Sequence, residues 1–498
     1  MVNALRQFWD GSARRRSWRV EGKDAGRGPL ARPRLGTTTT SSRTDTTRIL
    51  FVNQYYWPDN ASTAQHLTDL AEALAEKGHE CHVLCSRGGY LAKKGPRPPA
   101  YEVRNGVHIH RVGATSFGRK KDLGRLADYL SFYAAAALRS LSLGRFDAVV
   151  TLTTPPIIGL IGTLLRWLKG SRHVYWSMDL HPDISLAMGR MSARNPVVAA
   201  LAKLSDAVYR RADSVVVLGP YMADRIAAKG VRRERMATIP VWNRRDEIYP
   251  LPRAGHPLRE SLGLNDKFVA MYSGNLGIVH AFDEFLEAAR RLRDRPDVVF
   301  LYVGAGPRLA EVRAAKEQEG LDNIRLLDYF PRSDLHASLS LADVHLISMR
   351  REVPGLVVPG KLYGAMAAGR PTLFVGPEHC ETADTVREAE CGLTIRLGDV
   401  DGLVEALELL AADPDLARRM GDRARSAFLD GHEKDVCCRR WEDLLASIVG
   451  AGTKVPTVAV AAPRERSLLP LPDGLIPALS RSETGTLLSP SPPGRGPG

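Results

Sequence analysis

The segment from Arg48 to Cys85 constrains the fold more than any other part of the chain. Arg48-Ile-Leu-Phe-Val-Asn53 is an apolar run of strand length, as a strand buried on both faces requires. Ala64 to Lys77 then carries Leu67, Leu70, Ala71 and Leu74 at helical spacing, and Gly78-His79 ends it. Cys81-His-Val-Leu-Cys85 is a second strand. Strand, helix and strand within about 40 residues make a right-handed crossover, hence a parallel sheet with helices on its faces.

The alternation continues with strands at 107–112, 148–153, 173–178, 214–218 and 236–240, and a helix from about 122 to 142. Residues 242–257 are polar, proline-spotted and aperiodic, as a linker is. After Phe268 the pattern restarts, with strands at 269–273, 298–303, 324–327, 344–347 and 372–375, and helical stretches from about 399 to 449. The fold class is α/β: two doubly wound Rossmann-like domains, 48–241 and 258–449, facing across a cleft. Residues 1–47 and 450–498 read as disordered tails, the first basic, the second rich in Pro and Ser. Nine Arg and one Lys against four acids in 1–47 supply nearly half of the net charge of +13. That uneven spread is no nucleic-acid signature, and no nucleic-acid partner is expected. Cys81, Cys85, Cys380, Cys391, Cys437 and Cys438 form no CxxC pair, so reduced thiols in a cytoplasmic enzyme are expected. The most apolar stretch, Val149 to Leu168, is broken by Thr153, Thr154, Pro155 and Pro156, and reads as strand, turn and short helix, not a membrane span.

Ligands of open α/β sheets sit beyond the carboxyl ends of the strands. Sorting the loops there separates two chemistries. The first half offers Gln54–Thr63, containing Asn60, Ser62 and Thr63, and Met178-Asp-Leu-His-Pro-Asp183, containing Asp179 and His181. These are aromatic, amide and carboxylate groups, suited to a polar acceptor. The second half offers Gly274 and Asn275, then Gly304 and Gly306, then Pro359-Gly360-Lys361, which is glycine-rich with few acids. Glycine loops and a lysine at a helix start suit a diphosphate. Each feature has a plain structural reading as well. The Gly304-Ala-Gly306 fragment alone marks a strand-to-helix turn, His181 and His280 singly read as solvated or structural, and Asp179 and Asp183 as turn residues.

Taken together, "LAEALAEKGHECHVL", "MDLHPD", "YSGNLG", "VGAGP" and "VPGKLYGAMAAGRP" resemble the GT-B glycosyltransferases of the family-4 type over roughly 48–449. The chain is similar to the bacterial branch with a "PSKLY"-like loop that builds O-antigen, capsule or exopolysaccharide units. The resemblance implies a nucleotide-sugar donor in the second domain, UDP-sugars favoured, and a lipid-linked or glycan acceptor on the first. It also implies retention at the anomeric carbon and no metal or other cofactor. Two glutamates eight positions apart are usual in the family. Leu356 and Gly364 stand there instead, with Glu352 near the first, and the arginine and lysine expected after "SGN" are missing. Lys361 is left as the diphosphate cation. Asp179 or His181 would orient the acceptor hydroxyl while the leaving phosphate takes its proton. A nucleotide-sugar 2-epimerase and a catalytically silent GT-B subunit are the competing readings.

A peripheral contact with the inner face of the plasma membrane is also expected. Arg87, Lys93, Lys94, Arg97, Arg119, Lys120, Lys121 and Arg125 surround the 122–142 helix, whose Leu126, Tyr129, Leu130, Phe132 and Tyr133 read as an apolar side.

Overall fold

The computed structural model describes residues 46–59, 61–88, 98–113, 115 and 122–450. The two tails, Asn60, Lys93, Lys94, Arg97, Arg119, Lys120, Lys121 and the side chains of Arg125 and Leu126 therefore lie outside the described residues.

Among the described residues the first half is an eight-stranded sheet. In chain order its strands are β1 Arg48–Val52, β2 Glu80–Ser86, β3 Tyr101–Arg104, β4 Val107–Val112, β5 Ala148–Thr151, β6 Arg172–Trp176, β7 Ser214–Val217 and β8 Met236–Thr238. They lie in the order β3-β4-β2-β1-β5-β6-β7-β8, parallel except for β3 against β4. Ile49 to Val52 are wholly buried, which is why that run carries no polar alternation. The Ser62–Glu76 helix turns Leu67, Leu70, Ala71 and Leu74 onto this sheet, as their spacing predicts. The β3–β4 hairpin was not read from the sequence, although Asn105-Gly106, both at positive φ, is a strong two-residue hairpin signal.

The second half is a six-stranded parallel sheet in the order β11-β10-β9-β12-β13-β14. Its strands are β9 Phe268–Ser273, β10 Val298–Val303, β11 Ile324–Leu327, β12 Val344–Ser348, β13 Thr372–Gly376 and β14 Gly392–Arg396. β14 is a further strand beyond those expected. The sheet order reverses beside β1, between β2 and β5, and beside β9, between β10 and β12. Crevices open at such reversals, so the loops after β1, β9 and β12 are where ligands belong.

The chain crosses between the halves twice. Val241 and Trp242 are buried rather than solvated, and the Trp242 indole donates to Asp69 on the Ser62–Glu76 helix (3.1 Å). Asn243 is bonded by its backbone to His432 and Lys434, which starts the return. The last helix among the described residues, Lys434–Gly450, then packs on the Ser62–Glu76 helix of the first half. Trp176 of β6 lies between Trp242 (centroids 5.6 Å) and Trp441 of that helix (4.7 Å), so three indoles pin both crossings. Reading 258–449 as one unit misses this return, because an apolar helical face does not say which sheet it covers.

Candidate active site

The second-half loops interlock closely. A Cβ on Gly304 would lie 2.2 Å from the Gly274 carbonyl oxygen, and one on Gly306 2.5 Å from that of Leu276. Both have positive φ, so no other residue fits without displacing the neighbouring backbone. Gly274 N–H donates to Val303, Leu276 N–H to Ala305 and Arg308 N–H to Leu276, locking the loop after β9 onto the loop after β10. Asn275 is exposed at the rim, and the Tyr272 hydroxyl holds its carbonyl (2.9 Å).

Lys361 joins them from the third loop. Pro359 is buried, Gly360 exposed, and the Lys361–Ala367 helix begins there. Its Nζ reaches back to the Nε2 of His280 (2.9 Å) and lies 5.2 Å from the Tyr272 ring centroid. The lysine stem passes so near Gly274 that a Cβ there would come within 2.9 Å of Cε. Burial lowers the amine to about 8. His280 is buried and is held to the neutral form, near 3, first by desolvation and then by the Lys361 charge. Its Nδ1–H donates to the Ser348 carbonyl (2.7 Å), which leaves Nε2 as acceptor for the amine. The structure thus brings Gly274, Asn275, Gly304, Gly306, Pro359, Gly360 and Lys361 together. It adds Tyr272, which the sequence reading left out, and His280, which singly read as solvated or structural and is buried. The signal for His280 was its place in the loop after "SGN", where the family's cations were sought.

The facing side is carried by the loop after β6. Leu180 is buried and its N–H donates to the carbonyl of Leu356 (3.0 Å), across the two halves. Asp179 and His181 flank that bond. Desolvation pushes the Asp179 carboxyl up, and His181 partly offsets it. Asp183, which opens the short Asp183–Ala187 helix after this loop, is held in an ion pair with Lys229 (2.9 Å), which also binds Asp206. Further bonds close the contact. Met222 N–H donates to the Glu381 carboxylate (3.0 Å), the Tyr221 hydroxyl to Asp384 (2.9 Å) and Arg225 to the Pro354 carbonyl (3.0 Å). The loop after β1 ends at Ala61 and not at Thr63: Ser62 and Thr63 open the Ser62–Glu76 helix, Ser62 exposed and Thr63 buried with its hydroxyl 3.5 Å from the Asn53 amide nitrogen.

The structure shows what stands at the positions of the two missing glutamates. Leu356 is 2% exposed and contributes its backbone, not its side chain, to the crossing. A Cβ at Gly364 would meet Leu339 at 3.4 Å and the Asn243 amide nitrogen at 4.0 Å, both ordinary contacts. Glu352 is exposed. Among the described residues no group of three or more His, Cys, Asp or Glu stands close enough to hold a metal ion.

Comparison with known proteins covers both halves of the chain. Residues 63–242 match the glycosyl transferase 4-like domain and residues 257–427 the glycosyl transferases group 1 family. The chain belongs to the GT-B glycosyltransferases. It is 27% identical over 358 residues to WcaI of Escherichia coli, named for colanic acid biosynthesis, covering 67% of this chain and 84% of the relative. It is 25% identical over 345 residues to WbjE of Pseudomonas aeruginosa, named as a glycosyltransferase, covering 69% and 84%. In fold it is similar to HepE of Anabaena solved with UDP and glucose. The TM-score is 0.60 at 16% identity, covering 80% of this glycosyltransferase and 100% of HepE.

Proposed function

We propose that this glycosyltransferase moves a sugar from a nucleoside-diphosphate donor, a UDP-sugar in first choice, to a lipid-linked or glycan acceptor in cell-surface polysaccharide synthesis, with retention and without a metal. The observation that carries the reading is the Leu180–Leu356 backbone bond. It holds the Asp179–His181 segment beside Leu356, in the loop that leads to Lys361, and this supports a reading in which acceptor-type and diphosphate-type groups serve one reaction. In the reaction the bond from the anomeric carbon to the diphosphate breaks and one to the acceptor hydroxyl forms on the same face. The hydroxyl proton passes to the leaving phosphate, Lys361 neutralises the developing charge, and Asp179 or His181 orients the hydroxyl. The names of WcaI and of HepE's bound UDP and glucose support the class of product and donor.

The test is incubation of the full chain with a panel of UDP- and GDP-sugars, with and without lipid-linked acceptors, in EDTA. Nucleoside diphosphate release that depends on acceptor supports transfer. Interconversion of two nucleotide sugars without acceptor would make the chain an epimerase. Leu356 and Gly364 favour a second reading, a silent subunit, which donor binding without turnover on any acceptor would establish.

For the membrane contact, the packing moves the surface. Phe132 is buried and the Tyr133 hydroxyl bonds the Pro156 carbonyl, so that side of the Asp122–Ser142 helix faces the core and not lipid. Leu130 and Leu138 (71% exposed) point outward instead, near the Gly159–Lys169 helix with its exposed Trp167 (81%) and Leu168. Lys169 ties the two helix ends together by bonding the Ser140 and Leu141 carbonyls. Exposed Trp167 and Leu168 on one helix and exposed leucines on the helix packed against it, in a segment that also carries exposed Arg139 and Arg145, suit an anionic bilayer surface. Sedimentation with phosphatidylglycerol vesicles should be salt-sensitive and lost in Trp167→Ser. Binding that survives this change would remove the patch.

A further inference from the structure

Lys361 and His280 are 81 positions apart, yet their side-chain nitrogens meet at 2.9 Å under the proposed diphosphate site. Every polar atom of the histidine is committed in one direction. Nδ1–H donates to the Ser348 carbonyl, so Nε2 can only accept. The residue's own carbonyl accepts from Arg308 Nη1 (2.6 Å), and Ala281 exchanges bonds with the Ser348 hydroxyl on both its N–H and carbonyl. The ring is therefore fixed in place and in tautomer before any ligand arrives. Tyr272 closes the side of the amine with its ring face.

We propose that His280 is a positioning residue for donor binding: it takes one N–H of the Lys361 ammonium and thereby aims the other two at the diphosphate. This rests on the donor reading above. An ammonium on four rotatable bonds loses rotamer freedom when it binds, and a built-in acceptor lowers that loss before the donor arrives. A neutral acceptor does so without cancelling the charge that the diphosphate needs, whereas a carboxylate at the same place would compete with it. The charged and titratable groups around the pair are Arg308, Tyr272 and, beside Tyr272, Tyr329. Among these groups no anion faces the amine.

The experiment uses the full chain and calorimetric titration with UDP and with GDP from pH 6.5 to 9. The wild type should bind one of them, with affinity falling above an inflection near pH 8 as the amine loses its proton. His280→Leu should weaken that affinity about tenfold at pH 7.5 and move the inflection to lower pH, because the ammonium loses its acceptor. His280→Gln, which keeps an acceptor oxygen and cannot titrate, should restore most of both. A merely structural histidine would weaken binding equally at every pH with the inflection unmoved, and that result overturns the proposal. Full affinity in His280→Leu overturns it too. Loss in Lys361→Ala with no loss in His280→Leu sinks the positioning role alone. Unchanged binding in Lys361→Ala, or a wild type that binds neither nucleotide, sinks the donor reading itself.

Discussion

Lys361 shows how a single residue acquires a role from its surroundings. Read from sequence it is a cation after a glycine; in the fold it is a half-buried lysine whose buried amine lies between a neutral imidazole and an aromatic face. Lys361→Ala should cost about 1.5–3 kcal/mol of nucleoside diphosphate affinity, the range for a charge-assisted bond, as measured by calorimetry. Asp179 lies on the other side of the Leu180–Leu356 bond. Asp179→Asn should reduce transfer at least tenfold while leaving donor affinity within twofold; equal losses in both would show that the two sides of the cleft are not separate. Both residues could be singled out as candidates in the sequence because loops after buried strands are easy to locate. His280 was not, since a lone histidine carries no sign of what its ring nitrogens will meet.

At the scale of elements, crossings and edges were the features that local pattern could not place. The Lys434–Gly450 helix has an apolar face like its neighbours, but it buries Trp441 and Cys438 against the first half. Truncation after Glu433 should expose Trp176, Trp242 and the Ser62–Glu76 helix at once. Burying a large aromatic contributes roughly 2–3 kcal/mol, so the loss should exceed about 5 kcal/mol and leave the chain unfolded or aggregated in thermal melts. Glu381 is the other element-scale device. Its helix belongs to the second half, but its carboxylate sits on the first turn of the Pro220–Ala228 helix of the first. A Cβ at Gly219 would lie 2.3 Å from its Cγ, so the fit admits no side chain there.

The whole molecule stores several neutral histidines in both halves. Desolvation is the first cause of depression for His66 and His110 (each about 4), His173 (about 3), His345 (about 4) and His432 (about 3). Their folded values lie below the unfolded 6.5, so between about pH 4 and 6.5 the unfolded chain binds more protons. The stability they contribute is complete above pH 6.5 and is lost as the pH falls toward 4. The raised carboxyls of Asp69, Asp179 and Glu381 act in the opposite sense but are fewer. Urea unfolding at pH 5 should therefore show several kcal/mol less stability than at pH 7.5, on the order of 1–2 kcal/mol per histidine; equal midpoints would mean that these rings are hydrated. By itself the sequence determined the strand–helix alternation, the two-domain α/β class and the loops that follow the strands, because periodicity and glycine or proline punctuation act over a few residues. Only the tertiary structure decided that Lys361 meets His280, that Leu180 meets Leu356, that the last helix returns to the first half, and which side of the Asp122–Ser142 helix faces outward. Those outcomes join residues tens to hundreds of positions apart. They depend on which of many compatible apolar faces pack together, a choice made by the summed burial of the whole chain and not by any one segment.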